Sequence, residues 1–227
     1  MVCARGWEMS ESTSILKLMS WLSPVFPTGG FAYSAGLEQA VATGHVADLP
    51  SLRDWVSAQI SHGGLWNDAV LMSEAHRHAA DPEKIAELAD LAIALCAANE
   101  RLRETQDQGT SFLQAAAHWI DQAKLPGQGT PLCVAVGVAA GLEKIDRQLS
   151  IAAYLHAFVS NQLQCAIRLS VTGQNGAADL LARLEPVIAD CAGRAAVATL
   201  DDIGSSAFIA DTMAMRHETL EPRLFLS

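Results

Sequence analysis

The sequence holds little that favours a sheet. Segments alternating apolar and polar at strand period are hard to find, and aromatics make up only 6% of the chain. That argues against sandwiches, barrels and the alternating βα pattern of open parallel sheets. Basic clusters are also missing. The 15 Lys and Arg are scattered against 25 Asp and Glu, a net charge of −10, which gives no electrostatic footprint for nucleic acid and disfavours anionic membranes. No CxxC occurs among the five cysteines Cys3, Cys96, Cys133, Cys165 and Cys191, so they read as small buried hydrophobes of a reducing compartment. The first 14 residues lack the apolar core of a signal peptide, and the longest apolar run, 132–140, is too short to span a bilayer. The expectation is a cytoplasmic protein. Neither repeats nor low-complexity stretches are present.

What the chain has is alanine and leucine, strong helix formers, and half of its 227 residues are apolar. That length suits one large domain. Apolar residues recur at helical spacing through most of it. After a flexible polar leader at 1–12, helices are expected over 15–22 and 34–43. A third follows a Ser51/Asp54 capping box to about 62, and a fourth follows Asn67-Asp68 to about 80. Asp81-Pro82, a cap followed by proline at the first helical position, opens a run of helix formers to about 103. Residues 107–122 carry the stripe Phe112, Leu113, Ala116, Trp119 and Ile120. Residues 131–141 are apolar all round and predict a buried helix. Helices at 150–170, about 180–191 and 205–217 complete a single all-α bundle of about ten helices, with a tail at 220–227.

Four places invite chemistry. Ala32-Tyr33-Ser34-Ala35-Gly36 resembles a nucleophile elbow with alanine at the first glycine, but the elbow needs a preceding strand, and Pro24 and Pro27 stand there instead. The favoured reading makes Ser34 a helix cap rather than a serine-hydrolase nucleophile. Gly29-Gly30 precedes a helix as a phosphate cradle would, yet no G-x-x-x-x-G-K-[ST] follows. Glu74, His76 and His78 suggest a surface metal carrier; on a helix Glu74 and His78 share a face while His76 points elsewhere, so only two ligands converge. The site reading therefore contains no catalytic residue, metal or cofactor. Lastly, Leu224-Phe225-Leu226 forms an apolar knot that either folds back onto the domain or inserts into a partner groove.

Four stretches, in order along nearly the whole chain, resemble the UreF family of urease accessory proteins. They are Phe26-Pro-Thr-Gly-Gly-Phe-Ala-Tyr-Ser34 with Gly36-Leu37-Glu38; Glu104-Thr105 with Gly109; Asn161-Gln162 with Arg168 and Val171-Thr172-Gly173-Gln174; and Met215-Arg216-His217-Glu218-Thr219 with Arg223-Leu224-Phe225 and Ser227. The chain departs from the family pattern at Val171-Thr172, where Pro-Leu is usual, at Leu220-Glu221-Pro222, at Leu226, and in the register of Arg101 and Arg103. The resemblance implies an all-helical homodimer without catalytic activity of its own. Such a protein binds the accessory protein UreD (or UreH), recruits the GTPase UreG, and regulates GTP-dependent nickel insertion into apo-urease. It further implies that the tail 215–227 and the N-terminal region become ordered on UreD/UreH. Partner-binding candidates are then Tyr33, Glu38, Arg216, His217, Glu218, Arg223, Leu224 and Phe225, with Arg223 and Phe225 as anchors. Gly29, Gly30, Gly36, Gly173 and Gln174 are read as structural loop positions.

Overall fold

A computed structural model describes residues 11–227. Among them are ten α-helices and no strand. The helices are α1 (Glu11–Trp21), α2 (Leu37–Ala42), α3 (Leu49–His62), α4 (Gly64–Arg77), α5 (Pro82–Ala94), α6 (Asn99–Ala116), α7 (Leu132–Leu142), α8 (Arg147–Arg168), α9 (Gln174–Val197) and α10 (Phe208–His217). The all-α expectation holds. Of the leader at 1–12, residues 1–10 and with them Cys3 lie outside the described residues, while Glu11 and Ser12 already belong to α1.

The centre of the bundle is α7. Every residue from Cys133 to Ala140 is buried, which explains its apolarity all round. It packs along α4 and against α6, while α8 lies along α9. Close approach to α4 needs a missing side chain: a Cβ on Gly137 would sit 2.5 Å from the Met72 carbonyl oxygen. Beside this core, Trp21 meets Phe112 edge-on at 6.1 Å, and Phe26 meets Phe112 at 5.4 Å, so the loop after α1 is tied to α6 by aromatic packing.

Several boundaries differ from expectation, each for a local reason. The capping box of α3 is Asp48 with Ser51, three residues earlier than Ser51/Asp54, because the Asp48 carboxylate accepts from the Ser51 amide while Ser51 Oγ accepts from the Asp48 amide. Asn67 and Asp68 do not cap a helix; they lie inside α4, which starts at Gly64 directly after the Gly63 break. Asn67 spends its oxygen on the Gly204 amide at 2.9 Å instead. The Asp81-Pro82 start holds. The run to 103, however, breaks between Ala94 and Asn99, where the Asn99 amide is capped by the Glu218 carboxylate from 119 residues away at 2.8 Å. Helix α6 stops at Ala116, short of Trp119 and Ile120.

Three of the four free cysteines among the described residues fit the core reading, while Cys96 is only half-buried. Cys133, Cys165 and Cys191 are buried. Burial pushes the Cys165 thiol up to about 12 and the Cys191 thiol up to about 11, which makes both poor nucleophiles. Among the described residues no helix is long and apolar enough to cross a membrane.

Candidate functional site: a C-terminal tail clamped on the helical domain

The Gly-rich loop after α1 makes a tight 3-10 turn, Gly30–Ala32, and is extended at Tyr33 before it turns into α2. Gly29 and Gly36 both take the left-handed conformation, at φ 72° and 81°. At Gly36 space is closed as well: a Cβ there would meet the Ala214 amide nitrogen of α10 at 2.8 Å. Gly30 is backed by the Gln108 side chain.

One face of α8 reads this loop's carbonyls. Asn161 Nδ2 donates to Tyr33 O at 3.0 Å, Gln162 Nε2 to Ser34 O at 2.9 Å, and Arg168 Nη1 to Phe31 O at 2.7 Å. The loop's opposite edge faces the tail. The Leu226 amide donates to Ala32 O at 2.8 Å and the Ser34 amide to Ser227 O at 2.7 Å. The loop therefore lies between a helix and the tail, with backbone groups bonded on both sides.

Below the loop, Glu38 acts as a fork. Its Oε1 accepts the Leu224 amide at 2.6 Å; its Oε2 accepts the Phe225 amide and His217 Nε2, both at 3.0 Å. Burial alone would push this carboxyl up, but the bonds from His217, Leu224 and Phe225 outweigh it and hold it below the usual carboxylate range. The other ring nitrogen of His217, Nδ1, lies 2.7 Å from Glu100 Oε2, and Glu100 Oε1 accepts from Arg223 Nη1 at 2.6 Å. His217 is fully buried. The Phe225 ring is buried too, under the Arg168 guanidinium at 4.1 Å. At the far end Ser227 Oγ donates to Glu104 Oε2 at 3.3 Å, and burial raises the Glu104 carboxyl. Glu104 in turn lies 3.5 Å from Arg101, which is paired with Asp68, itself an acceptor from the Tyr154 hydroxyl at 2.9 Å.

Burial alternates along the end of the tail. Phe225 and Ser227 point inward; Leu224 and Leu226 are each 55% exposed. Of the two fates open to the apolar knot, folding back is the one adopted here, and only Phe225 is consumed by it.

The candidate residues thus separate. Glu38, His217 and Phe225 touch the chain's own interior. Tyr33 is also buried, its hydroxyl 3.4 Å from Asp107, and burial with that carboxylate pushes it up to about 12. Arg216, Glu218, Arg223 and Leu224 are exposed. Gly173 caps α9 in extended backbone and Gln174 is its first residue. Sequence reasoning missed Glu100 and the roles of Gln162 and Arg168. A signal existed for Gln162, a glutamine that is completely buried in a mostly apolar helix.

The rival chemistries find no support in this geometry. Ser34 is fully buried and follows no strand. Its hydroxyl donates to Ser227 O and accepts from the Glu38 amide at 3.2 Å, which is the capping role expected of it, although the backbone cap of α2 is Gly36. Of the amides after Gly29-Gly30 that a phosphate cradle would use, those of Ala32, Tyr33 and Ser34 are already bonded to the Gly29, Gly30 and Ser227 carbonyls. His76 Nε2 donates to Ile145 O, 2.7 Å away, while Glu74 is taken by Arg77 and lies 3.6 Å from His78. Among the described residues no group of three or more His, Cys, Asp or Glu could hold a metal ion.

Beside the clamp opens an apolar cavity of about 1170 Å³ between α1, the loop, α6 and α8. Met19 and Phe31 stand on its rim, and Glu104, Gln108 and Asn161 give it a polar wall.

The UreF family model matches residues 46–185. Urease accessory protein UreF 1 of Brucella anthropi is 48% identical over 216 residues, covering 94% of each chain. Urease accessory protein UreF of Rhizobium etli is 47% identical over 222 residues, covering 97% of this chain and 99% of its own length. The chain belongs to the UreF family. In this UreF-family fold the four stretches that carried the resemblance meet at one place: Ser34 and Glu38, Glu104, Gln162 and Arg168, and His217 with Arg223, Phe225 and Ser227 all bear on the tail.

Proposed function

We propose that this UreF-family chain is a non-enzymatic assembly protein of urease maturation, a homodimeric cytoplasmic scaffold that links UreD/UreH to the GTPase UreG and regulates GTP-dependent nickel insertion into apo-urease. The relatives' names supply the pathway. The observation that supports a binding role is the apolar surface left uncovered around the clamp. Leu16, Met19, Val25 and Phe31 are 63%, 65%, 90% and 72% exposed, and Leu224 and Leu226 on the tail extend that set. Large exposed apolar side chains held on an ordered framework mark protein contacts. In this reading the whole chain is one helical domain whose tail, 215–227, presents Arg216, Glu218, Arg223 and Leu224 outward. Glu38, His217 and Phe225 shape that surface from beneath, and Tyr33 braces the loop.

The test is co-purification with UreD/UreH and UreG, followed by reconstituted urease activation from purified components. Leu224→Asp with Leu226→Asp leaves the helical circular dichroism unchanged, because both side chains are exposed, and weakens capture of UreD/UreH at least about tenfold, the scale of a lost apolar anchor. Undiminished capture and activation by that variant would remove the tail from the interface.

A further inference from the structure

His217 sits in an arrangement that demands two protons. Its Nε2 lies 3.0 Å from Glu38 Oε2 and its Nδ1 2.7 Å from Glu100 Oε2, so both ring nitrogens face carboxylate oxygens, which as anions only accept. The ring is fully buried, and no solvent can stand in for a missing donor. The charged groups facing it are Glu38 from α2, Glu100 from α6 and Arg223 from the tail; Arg216 on α10 and Glu218 just after it are exposed, with Glu218 bonded to the Asn99 amide. With an imidazolium, the set is balanced at two positive and two negative charges. With one ring proton fewer, one nitrogen turns its lone pair on a carboxylate, and the set carries an unbalanced buried negative charge.

Those same carboxylates hold the tail. Glu38 binds the Leu224 and Phe225 amides, and Glu100 binds Arg223. The geometry points to a proton-dependent latch: doubly protonated His217 bridges Glu38 and Glu100 and keeps residues 223–227 on the domain, and loss of a ring proton loosens them. The sign follows from the contacts. Tail seating is full where the ring holds both protons while Glu38 and Glu100 are still anions, and declines as pH rises from there. The latch goes beyond the scaffold role and does not rest on it, since it concerns contacts within one chain.

Amide hydrogen exchange of the full chain between about pH 6 and about pH 9 reads the latch directly. Protection is taken relative to intrinsic rates, at Leu224, Phe225 and Leu226, with α7 amides as the internal reference. In the wild type, tail protection falls at least about tenfold across this range, the size of one lost charge-assisted hydrogen bond, while α7 protection holds. His217→Gln removes the pH dependence and leaves the tail weakly protected throughout. Should that variant fail to fold, Glu100→Gln decides: the introduced amide can donate to an unprotonated Nδ1 while Nε2–H still donates to Glu38, so the tail stays protected at about pH 9. A flat wild-type profile overturns the latch, as does a Glu100→Gln tail that loosens with pH just as the wild type does.

Discussion

If the tail docks as one unit, its contacts cannot be lost independently, and a double-mutant cycle exposes this. Glu38→Ala removes three charge-assisted bonds, each worth about 1.5–3 kcal/mol. Phe225→Ala empties a site where the ring is only 2% exposed, a change that costs about 3–5 kcal/mol in a core that cannot rearrange. Were these losses independent, the double variant would lose about 8–14 kcal/mol, as much as the entire stability of an ordinary domain. The tail offers an escape. Undocking residues 223–227 returns about 1–2 kcal/mol of backbone entropy per residue, so the loss stops at the net docking free energy, a few kcal/mol. Each single variant is therefore expected to cost about 2–4 kcal/mol, and the double variant no more than about 1 kcal/mol beyond the worse single one. Urea unfolding at pH 7 followed by far-ultraviolet circular dichroism measures this, with exchange at Leu224 and Phe225 locating the loss. Costs that add to within about 0.5 kcal/mol would show that Glu38 and Phe225 belong to no common unit, and the clamp described above would be wrong.

Other expectations are independent of that cycle. The Glu38 carboxyl is held below its ordinary value, so its stabilising effect is present above the unfolded value and lost as pH falls through the folded one; tail protection should drop in acid, and Glu38→Gln should abolish that acid limb. Gly137→Ala and Gly193→Ala should move stability in opposite directions. The first drives a Cβ to 2.5 Å from a backbone oxygen and costs about 1–3 kcal/mol; the second meets nothing nearer than a Gln148 side-chain nitrogen at 3.5 Å and gains about 0.5–1 kcal/mol. Equal shifts in melting temperature would refute the packing account of α4 on α7. Ser34→Ala should lower stability by about 1–3 kcal/mol by leaving the Glu38 amide without its acceptor, and neither form should react with a fluorophosphonate. Covalent labelling of Ser34 in the wild type would reopen the hydrolase reading.

The sequence by itself determined the class of fold. Alanine and leucine at helical spacing, with no strand period, leave helices as the way to bury this much apolar surface, and the all-apolar 131–141 segment had to lie at the centre. Local punctuation also carried through where its partner was close in the chain, as at Asp81-Pro82. It failed where the partner was distant. Nothing near Asn99 announces that Glu218 caps it, and nothing near Ser34 announces that Ser227 O accepts from its hydroxyl. Only the tertiary structure decided that Glu38, Glu100 and His217 form one buried charge set and that Phe225 is spent inside while Leu224 and Leu226 remain outside. The reason is physical: helical spacing is a property of neighbours three and four apart, whereas a buried charge is tolerable only beside partners that the packing of α2, α6 and α10 brings from more than a hundred residues away.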